Sequence, residues 1–83
     1  MNLSFLDKYN ACTTWYDKAL VMTLFHQTMK HHYADKWTLK HTAEHFKVSI
    51  GLVSENIKLS NAIDEDITLT KCETRELALR KIR

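Results

Sequence analysis

Histidines are the side chains whose spacing in this sequence most directly suggests chemistry. His41 and His45 lie four residues apart, which places two imidazoles on one face of a helix at a spacing that can bind zinc, and His31 and His32 precede them. The intervening Thr42-Ala43-Glu44 does not make an HExxH pattern, and the neighbouring sequence supplies no third ligand. We therefore predict no metal site. We expect surface histidines near phosphate that gain charge as the pH falls through their ordinary pKa of about 6.5.

Catalysis has little support among the other reactive residues. Cys12 and Cys72 lie far apart, belong to no CxxC pair and have no activating neighbour, so we expect reduced thiols without a nucleophilic role. The acidic run Asp64-Glu65-Asp66 is typical of a solvated connector rather than of a hydrolytic acid pair. A single glycine also excludes a phosphate-binding loop and a dinucleotide fingerprint. We predict that the protein is not an enzyme and needs no cofactor.

The pattern in residues 39–60 predicts two short helices joined by about three residues. Ala43 is small where the second of these helices would cross the first, and Val48 would fill the corner between them. Ser49 would cap the second helix through its hydroxyl, and Val53 would lock that helix against the first. The opposite face of the second helix is left for a partner.

These residues resemble a known motif. The run Thr42-Ala43-Glu44-His45-Phe46-Lys47-Val48-Ser49, followed by Leu52-Val53-Ser54, is similar to the TAxxxxVSxxxVS signature of bacterial and phage helix-turn-helix DNA-binding proteins. Residues 53–59 most resemble the versions found in plasmid-partition ParB-type proteins and small phage regulators. The resemblance implies that helix 49–60 is a recognition helix in the major groove of double-stranded DNA. It also implies a small transcriptional or replication/partition regulator.

Within this resemblance each outward residue has an expected role. Ile50 would contact a thymine methyl group, Ser54 would donate to a base or a phosphate, and Glu55 would accept from cytosine N4. Lys58 would reach a phosphate, and residues at the ends of the two helices would bind phosphates and fix the register. For Ser54 and Glu55 a solvated helix face is an open alternative. The complete predicted DNA-binding set is Thr38, Lys40, His41, Lys47, Ser49, Ile50, Gly51, Ser54, Glu55 and Lys58.

Two positions depart from the family pattern, and the only glycine raises a question of its own. Lys47 occupies the corner usually held by glycine, where a left-handed backbone would cost about 1–2 kcal/mol. Glu55 cancels the charge of Lys58, which leaves the outer face of the recognition helix nearly neutral and favours sequence-selective contacts or a dimer. Gly51 falls on the first turn of that helix and costs about 1 kcal/mol relative to alanine. A close approach of the backbone to DNA would explain it, and tolerance near a helix start is the alternative.

Composition and periodicity predict the elements that position these residues. The chain has 83 residues, of which 45% are hydrophobic, with one glycine and no proline; this predicts one all-α domain of about four helices. We expect a long first helix over 14–33, the helix-turn-helix over 38–60, a connector over 64–72 and a final helix over 74–82, with a short helical turn at 4–7. The apolar face of the first helix is formed by Trp15, Ala19, Met22, Phe25 or His26, and Met29, widened by Leu20 and Leu24.

Charge and segment lengths limit the partners. The formal net charge of +2 is compatible with nucleic acid without requiring it. The longest uncharged stretch, residues 19–29, is too short and polar to span a bilayer, and the N-terminus has no secretion-signal pattern. We expect an intracellular, cytoplasmic protein, nucleoid-associated if it is bacterial or phage-encoded. We also expect a homodimer, because one recognition helix reads few base pairs. Either the first helix or the final helix would form the dimer interface. Alternatively, the final helix would be a basic clamp on the DNA backbone. The competing function is a helical adaptor or inhibitor that binds another protein.

Overall fold

Every α-helix in the described part of the chain, residues 4–83, begins beside a Ser or Thr side chain. The computed structural model contains α1 (Phe5–Ala11), α2 (Trp15–Tyr33), α3 (Leu39–Phe46), α4 (Ile50–Glu65) and α5 (Arg75–Ile82), with 3₁₀ turns at Ala34–Lys36 and Ile67–Lys71. The hydroxyls of Ser4, Thr14, Ser49 and Thr74 accept hydrogen bonds from backbone N–H groups three residues ahead. The predicted all-α class is confirmed. Residues 1–3, part of the stretch predicted to lack a secretion signal, lie outside the described residues.

The helices differ from the expected ones at two ends. The segment at 4–7, expected to be one short turn, forms the N-cap and first residues of a seven-residue helix, α1. The second difference is at the end of α4, which continues to Glu65 rather than ending at Ser60. Leu59 and Ile63 are both buried, so the apolar repeat of α4 carries the helix past the expected end and into the acidic run. Asp66 then ends α4, and its carboxylate accepts from the backbone N–H of Thr68 at 3.1 Å to start the following 3₁₀ turn.

The main core lies where α2 and α4 pack together, with α3 beside them and α1 over one end. Met22 and Val53 are fully buried there, and each contributes about 1.5–3 kcal/mol by leaving water. Phe25 and His26 are both buried, although the helical stripe required only one of them. Leu24, expected to widen this stripe, is instead 56% exposed because it lies on the outer side of α2.

A second, smaller core attaches α5 to the C-terminal half of α4. Leu59 of α4 packs with Ala78 and Leu79 of α5, and Trp15 lies against this cluster. The indole N–H of Trp15 donates to the backbone carbonyl of Cys72 at 2.9 Å, which fixes the chain just before α5. The two clusters share α4, so the helix predicted to carry the function is held from both sides.

The thiols of Cys12 and Cys72 are both free and half-buried. Partial burial and the nearby Asp17 raise the pKa of Cys12, so its thiol is held in the protonated form at neutral pH. Its S–H donates to the backbone carbonyl of Lys8 at 3.1 Å. A protonated thiol is a weaker nucleophile than a thiolate.

Candidate functional site

The corner between α3 and α4 depends on the backbone conformation of Lys47. Lys47 is left-handed, with φ 59° and ψ 46°. This lets its N–H donate to the carbonyl of Glu44 at 3.3 Å and the N–H of Val48 donate to the carbonyl of Ala43 at 3.0 Å. Together these two bonds form a Schellman closure, which satisfies carbonyls at the end of α3 and turns the chain sharply. Val48 then packs against the main core, and Ser49 begins α4.

A buried polar network fixes α3 to α2. The hydroxyl of Thr42, which is fully buried, accepts from the indole N–H of Trp37 at 2.8 Å and lies 2.7 Å from Nδ1 of His26. Because an indole can only donate, Thr42 accepts from Trp37 and keeps its own hydroxyl proton available for Nδ1 of a neutral His26 ring. Burial lowers the pKa of His26, and the nearby Lys30 lowers it further, which agrees with a neutral ring.

The start of α3 holds three of the predicted phosphate contacts. The N–H of Thr38 donates to Nδ1 of His41 at 3.1 Å, and its hydroxyl lies 2.9 Å from the same nitrogen. The His41 ring stacks on Trp37 with centroids 5.1 Å apart. His41 therefore acts as the reciprocal partner in the cap of α3, while it, Thr38 and Lys40 remain exposed.

The two histidines of α3 are held by different aromatic neighbours. The ring of His45 stacks on Phe25 with centroids 4.3 Å apart, whereas His41 lies on Trp37. Across residues 4–83, no three His, Cys, Asp or Glu side chains are grouped closely enough to hold a metal ion.

The first turns of α4 present an exposed surface. Ser49 accepts from the N–H of Leu52 at 3.1 Å, and Ile50, with 48% of its surface exposed, and Gly51 follow it. Gly51 has no positive φ, and a Cβ added there would meet only Ser49 Oγ, at 4.0 Å. Nothing within the described chain therefore requires a glycine at this position. Ser54 is half-buried one turn later, and Lys58 is exposed.

Glu55, predicted to contact cytosine and to cancel Lys58, already has a partner. Its Oε1 lies 2.8 Å from Nη2 of Arg75, and its Oε2 lies 3.7 Å from Nη2 of Arg83. The Arg75 side chain is only 19% exposed, so this pair is partly shielded from solvent. The carboxylate is thus directed toward α5, with 37% of the Glu55 side chain still exposed, and it offsets the charge of Arg75 rather than that of Lys58.

The neighbouring Asn56 connects three helices. It is buried, its amide nitrogen donates to the sulfur of Met22 at 3.3 Å, and its amide oxygen accepts from Nε of Arg75 at 2.8 Å. Its backbone carbonyl accepts from the hydroxyl of Thr23 at 3.4 Å. The sequence interpretation missed both Asn56 and Arg75. The three-residue step from Val53 to Asn56 was a signal that the amide points inward.

The predicted site residues are therefore only partly brought together. Exposed members lie at the start of α3, at the corner and along one side of α4, whereas Glu55 is engaged with α5.

Within residues 4–83, no helix has both the length and the apolar composition to cross a membrane. Comparisons of the chain with protein-family profiles, curated proteins and solved structures give no match. The helix-turn-helix resemblance thus stays a prediction.

Proposed function

We propose that this chain is a sequence-selective double-stranded DNA-binding protein in which α3, the corner and α4 act as a helix-turn-helix. The observation that carries the proposal is the corner. The left-handed Lys47 and the Schellman closure join two helices through three residues and leave the start of α4 exposed. A helix held in this way can enter a major groove with its first turns foremost.

The exposed side chains on the first two turns of α4 can contact bases. Ile50 offers an exposed aliphatic group for a thymine methyl, and Ser54 offers a hydroxyl for a base or a phosphate. Gly51 between them exposes the backbone, and its missing side chain would allow the DNA to approach closely. We assign Ser49 mainly to capping α4, because its hydroxyl already accepts from Leu52.

Phosphate contacts would flank this surface. Lys40 and Lys47 are exposed near the start and the end of α3, and Lys58 is exposed two turns into α4. Thr38 and His41 lie beside Lys40, so the cap of α3 would face the same phosphates. Such contacts fix the register of the protein and supply affinity without reading sequence.

We propose a homodimer, since two recognition helices read enough base pairs for useful selectivity, and an intracellular transcriptional or replication/partition regulator. The exposed Leu24 on the outer side of α2 supports an interface there. No catalytic step is part of this function.

The decisive experiment measures binding of a fluorescent random-sequence duplex at increasing salt, together with selection from a randomised duplex library. We expect affinity to fall steeply with salt, with a slope of about −0.9 per phosphate contact, and the library to be enriched in one motif. Lys58→Ala and Ser54→Ala should weaken binding without changing the unfolding midpoint. Lys30→Ala removes an exposed lysine from α2 and serves as the matched control. An absence of salt-sensitive binding together with an unenriched library would refute the proposal.

A protein-binding module is the second candidate, and its support is the exposed apolar side chain of Ile67. Ile67 is 69% exposed and lies outside the proposed DNA surface. A protein partner on this residue would bind with weak salt dependence. Its affinity would fall on Ile67→Ser and would be insensitive to Lys58→Ala.

A further inference from the structure

The C-terminal helix α5 is attached to the same stretch of α4 that carries the proposed DNA contacts. Arg75 at the start of α5 binds both Asn56 and Glu55, each at 2.8 Å. Ala78 and Leu79 bury the inner side of α5 against Leu59. The position of α5 is therefore set by polar bonds at its start and by apolar packing along its length.

This attachment leaves two arginines beside the α4 surface. A shallow hollow of about 360 Å³ separates the two helices, and it is lined by Glu55, Arg75, Glu76, Leu79, Arg80 and Arg83. Arg75 is engaged by Glu55 and Asn56, Arg80 is exposed, and Arg83 is 72% exposed and makes only a long ion pair with Glu55. The guanidinium of Arg83 lies 3.7 Å from the Glu55 carboxylate, so it reaches the turn of α4 that lies between Ser54 and Lys58.

The ion pair changes the charge that a partner meets. If Glu55 cancelled Lys58, the outer face of α4 would be neutral. Because Glu55 is instead matched by Arg75, the charge of Lys58 remains, and the C-terminal segment adds Arg80, Lys81 and Arg83 against the single acid Glu76. A guanidinium binds a phosphate oxygen pair in a bidentate manner, which makes arginines at this edge suited to a phosphodiester backbone.

We infer that α5 forms the second part of the DNA interface, with Arg80 and Arg83 binding backbone phosphates at the edge of the groove that α4 enters. In this arrangement Glu55 is a positioning residue. It neutralises Arg75 and holds α5 in place, and it makes no base contact. The inference rests on the proposed function and adds to it a second element with named phosphate-binding residues.

The experiment compares Arg80→Gln/Arg83→Gln with Lys8→Gln/Lys30→Gln, which removes two exposed positive charges from α1 and α2. Binding of a fluorescent 30-base-pair random duplex is measured from 50 to 200 mM salt. Two lost phosphate contacts reduce the salt slope by about 1.8, so the wild type should lose roughly 12-fold more affinity over this range than the α5 variant does. The control should keep the wild-type slope. Both variants should unfold close to the wild-type midpoint, because the contacts that they remove, Arg83 with Glu55 and Lys8 with the Phe5 ring, are solvent-exposed and weak.

The outcomes separate this inference from the function on which it rests. If the wild type binds and the α5 variant keeps its slope, or if the control loses as much slope, the assignment of α5 is wrong and the proposed function stands. If the wild type does not bind the random duplex at low salt and the randomised library is also unenriched, both are wrong; if the library is enriched, the two variants are compared on the selected duplex, with the same criteria. Selection from a randomised library with Glu55→Gln tests the positioning role. We expect the wild-type motif, whereas a changed preference at one base pair would make Glu55 a base contact.

Discussion

Lys47 is an L-residue in a conformation that favours glycine, and this gives a prediction with a definite sign. Lys47→Gly should stabilise the protein. The left-handed conformation costs an L-residue about 1–2 kcal/mol, whereas glycine adopts it freely. Glycine also makes the unfolded chain more flexible, which reduces this gain in the free energy of unfolding by about 0.4–1 kcal/mol. The expected net gain in the free energy of unfolding is about 0.5–1 kcal/mol.

The side chain of Lys47 contributes little to this balance. It is exposed, and among residues 4–83 it has no ion pair or side-chain hydrogen bond. Lys47→Ala is the matched variant, because it removes the same charge and keeps a Cβ in the left-handed backbone. The two variants therefore differ chiefly in backbone freedom.

Urea unfolding and calorimetry measure the effect. For a domain of this size, a gain of about 0.5–1 kcal/mol raises the unfolding midpoint by roughly 2–8 °C. Lys47→Ala should stay close to the wild type. If Lys47→Gly is no more stable than Lys47→Ala, the corner is not left-handed in solution and the Schellman closure is wrong. In the DNA assay both variants should lose the same phosphate contact, so their affinities should fall equally.

Three further substitutions test other parts of the structure. Gly51→Ala should stabilise α4 by up to about 1 kcal/mol in urea unfolding, because the added Cβ meets only Ser49 Oγ at 4.0 Å; unchanged DNA affinity would eliminate close approach as the reason for the glycine. Asn56→Ala should cost about 1–3 kcal/mol by leaving Arg75 without a buried acceptor, and a loss below about 0.5 kcal/mol would show that this bond is dispensable. His26 should make stability depend on pH. Burial lowers the pKa of His26 in the folded protein, so on acidification the unfolded chain binds the proton first. The contribution of His26 to the free energy of unfolding is therefore constant above about pH 6.5. Below that pH it falls by up to about 1.4 kcal/mol per pH unit. Urea titrations between pH 5 and 8 measure this slope, and His26→Gln should reduce it; an unchanged slope would assign the effect to another group.

Helix starts are the part of the fold that the sequence reveals best. Thr14, Thr38, Ser49 and Thr74 were each expected at a helix start, and each lies there in the structure. The reason is physical: a cap is a contact between residues three apart, so the signal and its effect lie in the same short segment. The all-α class follows from equally local information.

Contacts between distant parts of the chain were not accessible in the same way. Glu55 and Arg75 are separated by 20 positions, and the spacing of α4 alone placed Glu55 on an open face. The binding partner of that carboxylate depends on where α5 packs. The sequence of this short helix does not indicate its position relative to α4. Leu24 shows the converse, because an apolar residue on a helical stripe is buried only if a neighbouring helix reaches it.

The division of the interior into two clusters has a consequence for how the molecule opens. Met22, Phe25 and Val53 belong to the larger cluster, and Leu59, Ala78 and Leu79 to the smaller one. A small cluster joined by few apolar contacts can separate at lower free energy than the whole domain unfolds. The amide hydrogens of α5 should therefore exchange with solvent through partial unfolding, while those at the centre of α2 exchange only when the entire chain unfolds. In such a partly opened state Glu55 and Asn56 lose Arg75, so the structured remainder keeps α3 and α4 but carries an uncompensated carboxylate on α4.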